Sequence, residues 1–196
     1  MRKVASEAAA EQLRAEMLRL FQSTDPFDQP FRDEVRERLI LSTNILRLYK
    51  EQFIALAQAV QQLGEKECAI SEVEGSAARI RGYSRKAPSE YWIIDFTEYE
   101  AYTNLPIMWE HAIHSLRGEW GLIISSEHHA ILGGSSRFMS AFKEFYPKWE
   151  QEREEFLEMW VGNRIKYGSK LDWLPGLLTH IYGEVGELPL LLRPQE

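Results

Sequence analysis

The residues most able to do acid–base or metal chemistry lie together at positions 110–114, Glu-His-Ala-Ile-His. We predict that this segment belongs to a helix over residues 105–117. On a helix Glu110 and His114 are one turn apart, and His111 and His114 can reach the same metal ion. The spacing matches no metalloprotease motif. A surface pair of Glu110 with His114 is therefore the favoured interpretation, and metal binding is the alternative.

Two adjacent histidines, His128 and His129, lie in a predicted turn between two strands. Either ring could add a third ligand to a metal held by His114, or act as an acid or base near neutral pH. One hypothesis is a small enzyme, of which a metal-assisted hydrolase is one form. Its site would be formed by Glu110, His114, His128 and Asp95. Neighbouring residues of a strand face opposite ways, so structural histidines are the favoured interpretation.

A third candidate site follows two glycines, where a strand enters a helix. The free N–H groups at a helix N-terminus can bind an anion, and a nearby arginine would strengthen that binding. The residues that would form this anion site are Gly134, Ser135, Ser136 and Arg137. The same residues also make an ordinary helix start with a serine cap, which is the favoured alternative.

A basic and aromatic stripe is predicted on one face of a hairpin strand, formed by Arg79, Arg81, Tyr83 and Arg85. Arginine and tyrosine are enriched in protein interfaces, so Arg79, Arg81 and Tyr83 are candidate interaction residues. A cross-strand ion pair of Arg79 with Asp95 would explain both residues without a binding role, and it is the favoured interpretation.

Charge is distributed unevenly along the chain. The net charge is −7, which disfavours general nucleic-acid binding, and residues 67–132 carry ten acidic and five basic side chains. A second acidic run extends over residues 144–158. We interpret that run as a solvated helix face, although it could also attract a basic partner.

The clearest periodic pattern is a heptad stripe over residues 35–63. Its members alternate in spacings of four and three: Val35, Leu39, Ser42, Leu46, Tyr49, Phe53, Leu56, Val60 and Leu63. With no glycine or proline before Gly64, the stripe predicts one long helix. That helix would pair with a helix over residues 5–21 in a hairpin, or would form a homodimer.

The remaining patterns favour an α+β fold. Residues 68–73, 77–83, 90–96, 120–125 and 129–132 are predicted strands, and helices are predicted at 135–145, 147–162 and 171–182. We therefore expect an N-terminal helical hairpin with one long helix, then a mainly antiparallel sheet of four or five strands flanked by helices. The expected organisation is a helical segment, 1–66, packed on an α+β domain, 67–196.

Compartment and motif signals point away from several protein classes. The chain has one cysteine, no signal-peptide pattern, and no run of about 20 apolar residues for a membrane span. It also lacks a Walker loop, Gly-x-Ser-x-Gly and His-Glu-x-x-His. We expect a cytoplasmic protein without a cofactor. Its favoured function is non-catalytic protein–protein interaction, of a toxin-neutralising (immunity-type) or adaptor kind.

Overall fold

A computed structural model describes residues 2–73, 91–95, 98–183 and 188–193. The strands are β1 (Arg2–Lys3), β2 (Glu37–Ser42), β3 (Glu67–Glu72), β4 (Tyr91–Asp95), β5 (His111–Ser115), β6 (Trp120–Ile124) and β7 (His129–Gly134). The helices are α1 (Glu7–Leu20), α2 (Lys50–Gln62), α3 (Tyr99–Thr103), α4 (Ser136–Phe145), α5 (Trp149–Tyr167) and α6 (Leu174–Tyr182), followed by a 3₁₀ turn (Leu190–Leu192).

The described strands form one sheet in the order β1-β4-β3-β5-β6-β7-β2. Every neighbouring pair of these strands is antiparallel. The α+β class and the antiparallel sheet are thus confirmed, but the sheet has seven strands where four or five were predicted. Three of the observed strands were not predicted: β1 and β2, which form the two edges of the described sheet, and β5. The predicted strand over residues 77–83 lies outside the described residues.

Helices cover both faces of the sheet, so the molecule has two hydrophobic cores. One core packs α2, α3 and α4 on side chains such as Leu41, Ile113 and Leu132. The other packs α1, α5 and α6 on the intervening residues, such as Ala112 and Ile131. Because side chains alternate along a strand, neighbouring residues of β5 belong to different cores.

The prediction of one long helix over residues 35–63 is wrong. Residues Glu37–Ser42 form strand β2, which pairs along its length with β7, and helix α2 begins only at Lys50. The heptad stripe counts Leu39, but residues 39–41 are all buried because the strand separates the two cores. Pairing in the sheet buries this apolar triplet on both faces, and it outweighs a helical periodicity that describes only the C-terminal half. The homodimer through this helix loses its basis.

The helix predicted over residues 105–117 is also wrong. A short helix, α3, ends before it, and residues His111–Ser115 form the central strand β5. Pairing with β3 on one side and β6 on the other satisfies the backbone groups of β5. Helix propensity is a weak preference that such tertiary pairing overrides.

Several other elements agree with the sequence pattern. Helix α1 matches the predicted helix at 5–21, and Ser135 caps α4 with its side chain, as its position predicts. Strands β6 and β7 are buried on both faces, also as predicted. No helix in the described part of the chain is long and apolar enough to cross a membrane.

Candidate functional site

Three loops meet at the end of the sheet where β2 and β6 end and where β5 and β7 begin. They comprise residues 43–49, 104–110 and 125–128, and we call them the rim. Hydrogen bonds join these loops pairwise. The Thr43 N–H donates to the His128 carbonyl at 2.9 Å, and the Ser126 hydroxyl donates to the Glu110 carboxylate at 3.0 Å. The Arg47 guanidinium donates to the Leu105 carbonyl at 2.7 Å, which closes the ring of loops.

The rim contains a tight turn with unusual backbone geometry. Asn44 and Arg47 exchange two backbone hydrogen bonds, of 2.9 and 3.1 Å. The two residues between them, Ile45 and Leu46, have φ values of 26° and 59°. A type I′ turn needs positive φ at both central positions and normally has Asn-Gly there. For bulky residues, above all a β-branched one, this conformation is a genuine outlier and stores strain.

The strained turn is held on both sides by neighbouring elements. Beyond the Arg47 contact, the backbone of Leu48 is bound at both of its polar groups by α3. Its N–H donates to the Tyr102 hydroxyl at 3.0 Å, and its carbonyl accepts from the Tyr99 hydroxyl at 3.0 Å. Strained backbone persists only where its surroundings over-determine it, and these contacts supply that restraint. The turn is therefore preorganised.

Large apolar side chains on the rim face solvent. Ile45 is 56% exposed, Met108 75% and Trp109 45%. Tyr49, at the end of the first loop, is also exposed. Exposed apolar side chains grouped on rigid loops are a common feature of binding surfaces, and tryptophan is a frequent energetic anchor in them. The rim thus has the composition of a docking surface.

Among the described residues at this surface, acidic side chains outnumber basic ones. The rim and α3 with its cap carry four glutamates, Glu98, Glu100, Glu110 and Glu127, and one arginine. Glu110 is buried, and Glu100 lies 4.0 Å from Lys50, the residue that follows the rim. That arginine, Arg47, is engaged with backbone carbonyls and lies over the Tyr102 ring. Its charge is therefore largely turned inward, and the excess of acidic side chains among these described residues favours a basic ligand.

The two histidines proposed as metal ligands do not face each other. His111 and His114 are three residues apart on β5, so their side chains lie in different cores. Burial, with the Arg47 charge as a second cause, lowers the pKa of His111 to about 3, and burial lowers the pKa of His114 to about 4. Both rings are therefore neutral core side chains. Within the described residues no three His, Cys, Asp or Glu side chains are grouped as a metal site.

The proposed catalytic residues do not converge either. Glu110 and His128 lie at the rim. Asp95 lies at the other end of the sheet, where it is opposite Glu67 in the register of β3 and β4. The length of β3 separates the two ends by about 17 Å. His129 is buried in the core formed by α1, α5 and α6, where its Nε2 lies 3.1 Å from the Pro26 carbonyl oxygen.

The predicted anion site lies at the end of the sheet opposite the rim. The Ser135 hydroxyl accepts from the Phe138 N–H, and the Ser135 N–H donates to the backbone carbonyl of Glu119. The Arg137 guanidinium donates to the Gln62 carbonyl. A Cβ at Gly134 would lie 2.8 Å from the Glu119 carbonyl oxygen, so close packing requires this glycine. These contacts describe the role of a helix start, and anion binding stays a prediction. The interaction residues Arg79, Arg81 and Tyr83, together with Arg85, lie outside the described residues.

Sequence reasoning missed the rim. The signals that could have found it are modest: Pro106 before the exposed Met108-Trp109 pair, and Asn44 at the start of an unexpected turn. It also missed that Glu152, within the predicted solvated run, is only 3% exposed. The fold and this rim define the chain as an α+β protein with a loop-built surface at one sheet end. No protein-family model, curated protein or solved structure matches the chain.

Proposed function

We propose that this protein is a non-catalytic binding module that recognises a basic partner protein through the rim. A toxin-neutralising or adaptor role in the cytoplasm is the form of this function that we favour. The observation that carries the proposal is the strained turn at Ile45 and Leu46, which is fixed on both sides and still presents an apolar side chain to solvent. A glycine-containing turn would join the same elements without strain.

The rigidity of the rim supports binding rather than catalysis. A loop already held in one conformation loses little entropy when a partner binds, so more of the contact energy appears as affinity. Trp109 and Met108 offer large apolar areas beside this turn. Burying them would remove water from an anchor of the kind that dominates interface energetics.

The excess of acidic side chains among the described residues of the rim and α3 supports the choice of a basic partner. Complementary charge raises the association rate and discriminates against acidic competitors. The enzyme hypothesis has less support, because it requires Glu110, His114, His128 and Asp95 to converge. His114 is fully buried on the face of β5 that it shares with Ala112. Asp95 lies at the end of the sheet opposite the rim.

The experiment compares rim variants with a control of similar exposure. The tagged chain and its Trp109→Ser and Ile45→Ser variants would be used for affinity capture from cells of the source organism, with identification by mass spectrometry. Ile165→Ser is the control, since Ile165 is 69% exposed on α5, outside the rim. We expect a basic protein that wild type and Ile165→Ser retain and that Trp109→Ser binds about 30-fold more weakly, as for a hot-spot residue.

Capture that rises with salt, or that Ile165→Ser abolishes while the rim variants preserve it, would contradict the proposal. Circular dichroism melting would confirm that each variant is folded. For a toxin-neutralising role, co-expression of the captured protein with wild type should restore growth, and co-expression with Trp109→Ser should not.

A further inference from the structure

A buried carboxylate lies where strand β2 leads into the rim. Glu152, in the first turns of α5, accepts a hydrogen bond of 2.6 Å from the Ser42 N–H at the end of β2. Its other oxygen accepts from the Gln52 side chain at 2.8 Å and from the Tyr146 hydroxyl. Within the described residues Glu152 makes no ion pair. Three donors therefore stabilise this carboxylate in place of a cation.

Gln52 connects this carboxylate to both ends of the first rim loop. The side chain of Gln52 is fully buried in α2, and its amide nitrogen also donates to the Ser42 carbonyl at 2.7 Å. Its amide oxygen accepts from the Tyr49 N–H at 2.9 Å. Ser42 precedes the loop and Tyr49 ends it, so one side chain binds the backbone on both sides of the strained turn.

Protection of a sheet edge explains only part of this arrangement. β2 is an edge strand, and its outward backbone groups need partners. The Tyr182 hydroxyl gives the Ile40 N–H such a partner without any charge. The bond from Tyr49 to Gln52 is a capping-box contact at the start of α2. Neither edge protection nor this cap requires a carboxylate that orients the Gln52 amide. The carboxylate therefore acts through Gln52 on the end of the loop.

We propose that Glu152 is a positioning residue for the rim, and that it holds the turn at Ile45 and Leu46 in its strained conformation through Gln52. The carboxylate accepts from the Gln52 amide nitrogen, which leaves the amide oxygen directed at the Tyr49 N–H. Glu152 thereby sets the spacing between the end of β2 and the start of α2. What the positioned turn binds rests on the proposed function, whereas the positioning itself does not.

The test is hydrogen exchange on the chain alone. Glu152→Gln keeps the shape of the side chain but places an amide donor among three donors, so the arrangement cannot form. We expect the Thr43 and Arg47 amides to exchange at least about tenfold faster, while Leu122 and Leu132 in the central sheet keep their protection. Glu154→Gln, an exposed change on the same helix, is the matched control and should alter neither set.

Equal acceleration of rim and central amides would show a merely structural role and overturn the proposal. Unchanged rim amides would overturn it as well. If Glu152→Gln fails to fold, Tyr146→Phe removes a single donor and should accelerate the same rim amides to a smaller extent. Accelerated rim amides with unchanged partner capture would contradict the proposed function and leave the positioning role intact. Dependence of capture on Trp109 with unaltered rim amides would do the reverse.

Discussion

The two ends of the sheet make their turns in contrasting ways. At the end opposite the rim, the chain turns at Gly64 and Gly118, with φ values of 76° and 73°. At the rim the residues with positive φ are Ile45, Leu46 and His128. Glycine adopts this backbone conformation without steric penalty, whereas other residues do so at a cost. One end thus has low-strain turns, and the other maintains strain where its side chains face solvent.

This difference teaches where to look for function in a chain without a familiar motif. Strain that stability alone does not explain marks a place where another requirement acts. The rim combines such strain with exposed apolar side chains and with a dense set of restraining hydrogen bonds. The opposite end has the capped helix start and glycine turns of an ordinary scaffold.

The largest expected effect is acid destabilisation, which would affect both ends of the sheet. Burial lowers the pKa of His111 to about 3, that of His114 to about 4, and that of His129 below its usual value. Below about pH 6.5 the unfolded chain binds protons that the folded chain excludes. The contribution of these neutral histidines to the free energy of unfolding is thus complete above that pH, and it is lost as the pH falls towards 4. Urea unfolding midpoints at pH 7.5, 6 and 5 should fall in that order.

Glu65 provides a control for this pH dependence. Burial raises the pKa of this carboxyl group, so its contribution to stability changes with pH in the opposite direction. Glu65→Gln should therefore make the loss of stability on acidification steeper. Midpoints that stay constant from pH 7.5 to pH 5 would contradict the assignment of the histidines as neutral core residues.

The second prediction concerns close packing at the end of the sheet opposite the rim. Gly134→Ala would place a Cβ 2.8 Å from the Glu119 carbonyl oxygen and from the Phe138 ring. We expect a loss of about 1–3 kcal/mol in the free energy of unfolding, because the backbone at Glu119 or Gly134 must shift to make room for the Cβ. Gly162→Ala, in open space within α5, is the control and should stabilise the protein by about 0.5–1 kcal/mol. Partner capture should survive both changes.

The third prediction exchanges the chemistry of the two ends. The double variant Ile45→Asn, Leu46→Gly gives the rim the residues that its turn prefers. Release of strain should raise the free energy of unfolding by about 2 kcal/mol. Partner capture should fall, since the exposed Ile45 side chain is gone. A variant that is less stable than wild type would show that the turn carries no excess strain and would remove the contrast between the ends.

The smallest effect is expected at an unconstrained glycine turn. Gly118 has φ of 73° and nothing near the position of a Cβ. Gly118→Ala should therefore lower the free energy of unfolding by about 1 kcal/mol through backbone strain alone. Capture of a partner should be unchanged. A loss of about 3 kcal/mol would mean that this end of the sheet is constrained by more than local backbone conformation.

Local sequence was sufficient for much of the scaffold. Helix α1 follows from its alanine-rich composition, and the start of α4 follows from Ser135 after two glycines. The apolar runs at Trp120–Ile124 and His129–Gly134 identified buried central strands. The candidate site was less accessible, because only Glu110 and His128 among the predicted catalytic residues lie on the rim. Their predicted chemistry depended on a helix that the sheet replaces with β5.

What the sequence alone determined is the α+β class, the capped helices and the central strands, because periodicity, caps and burial patterns act over a few residues. Only the tertiary structure decided that the heptad stripe divides into β2, a strained turn and α2. It also decided that Glu152 is buried, through a contact with Gln52 that spans 100 residues of sequence. The physical reason is the same in both cases. The strain at Ile45 and the buried charge at Glu152 are tolerated only because distant parts of the chain supply their partners.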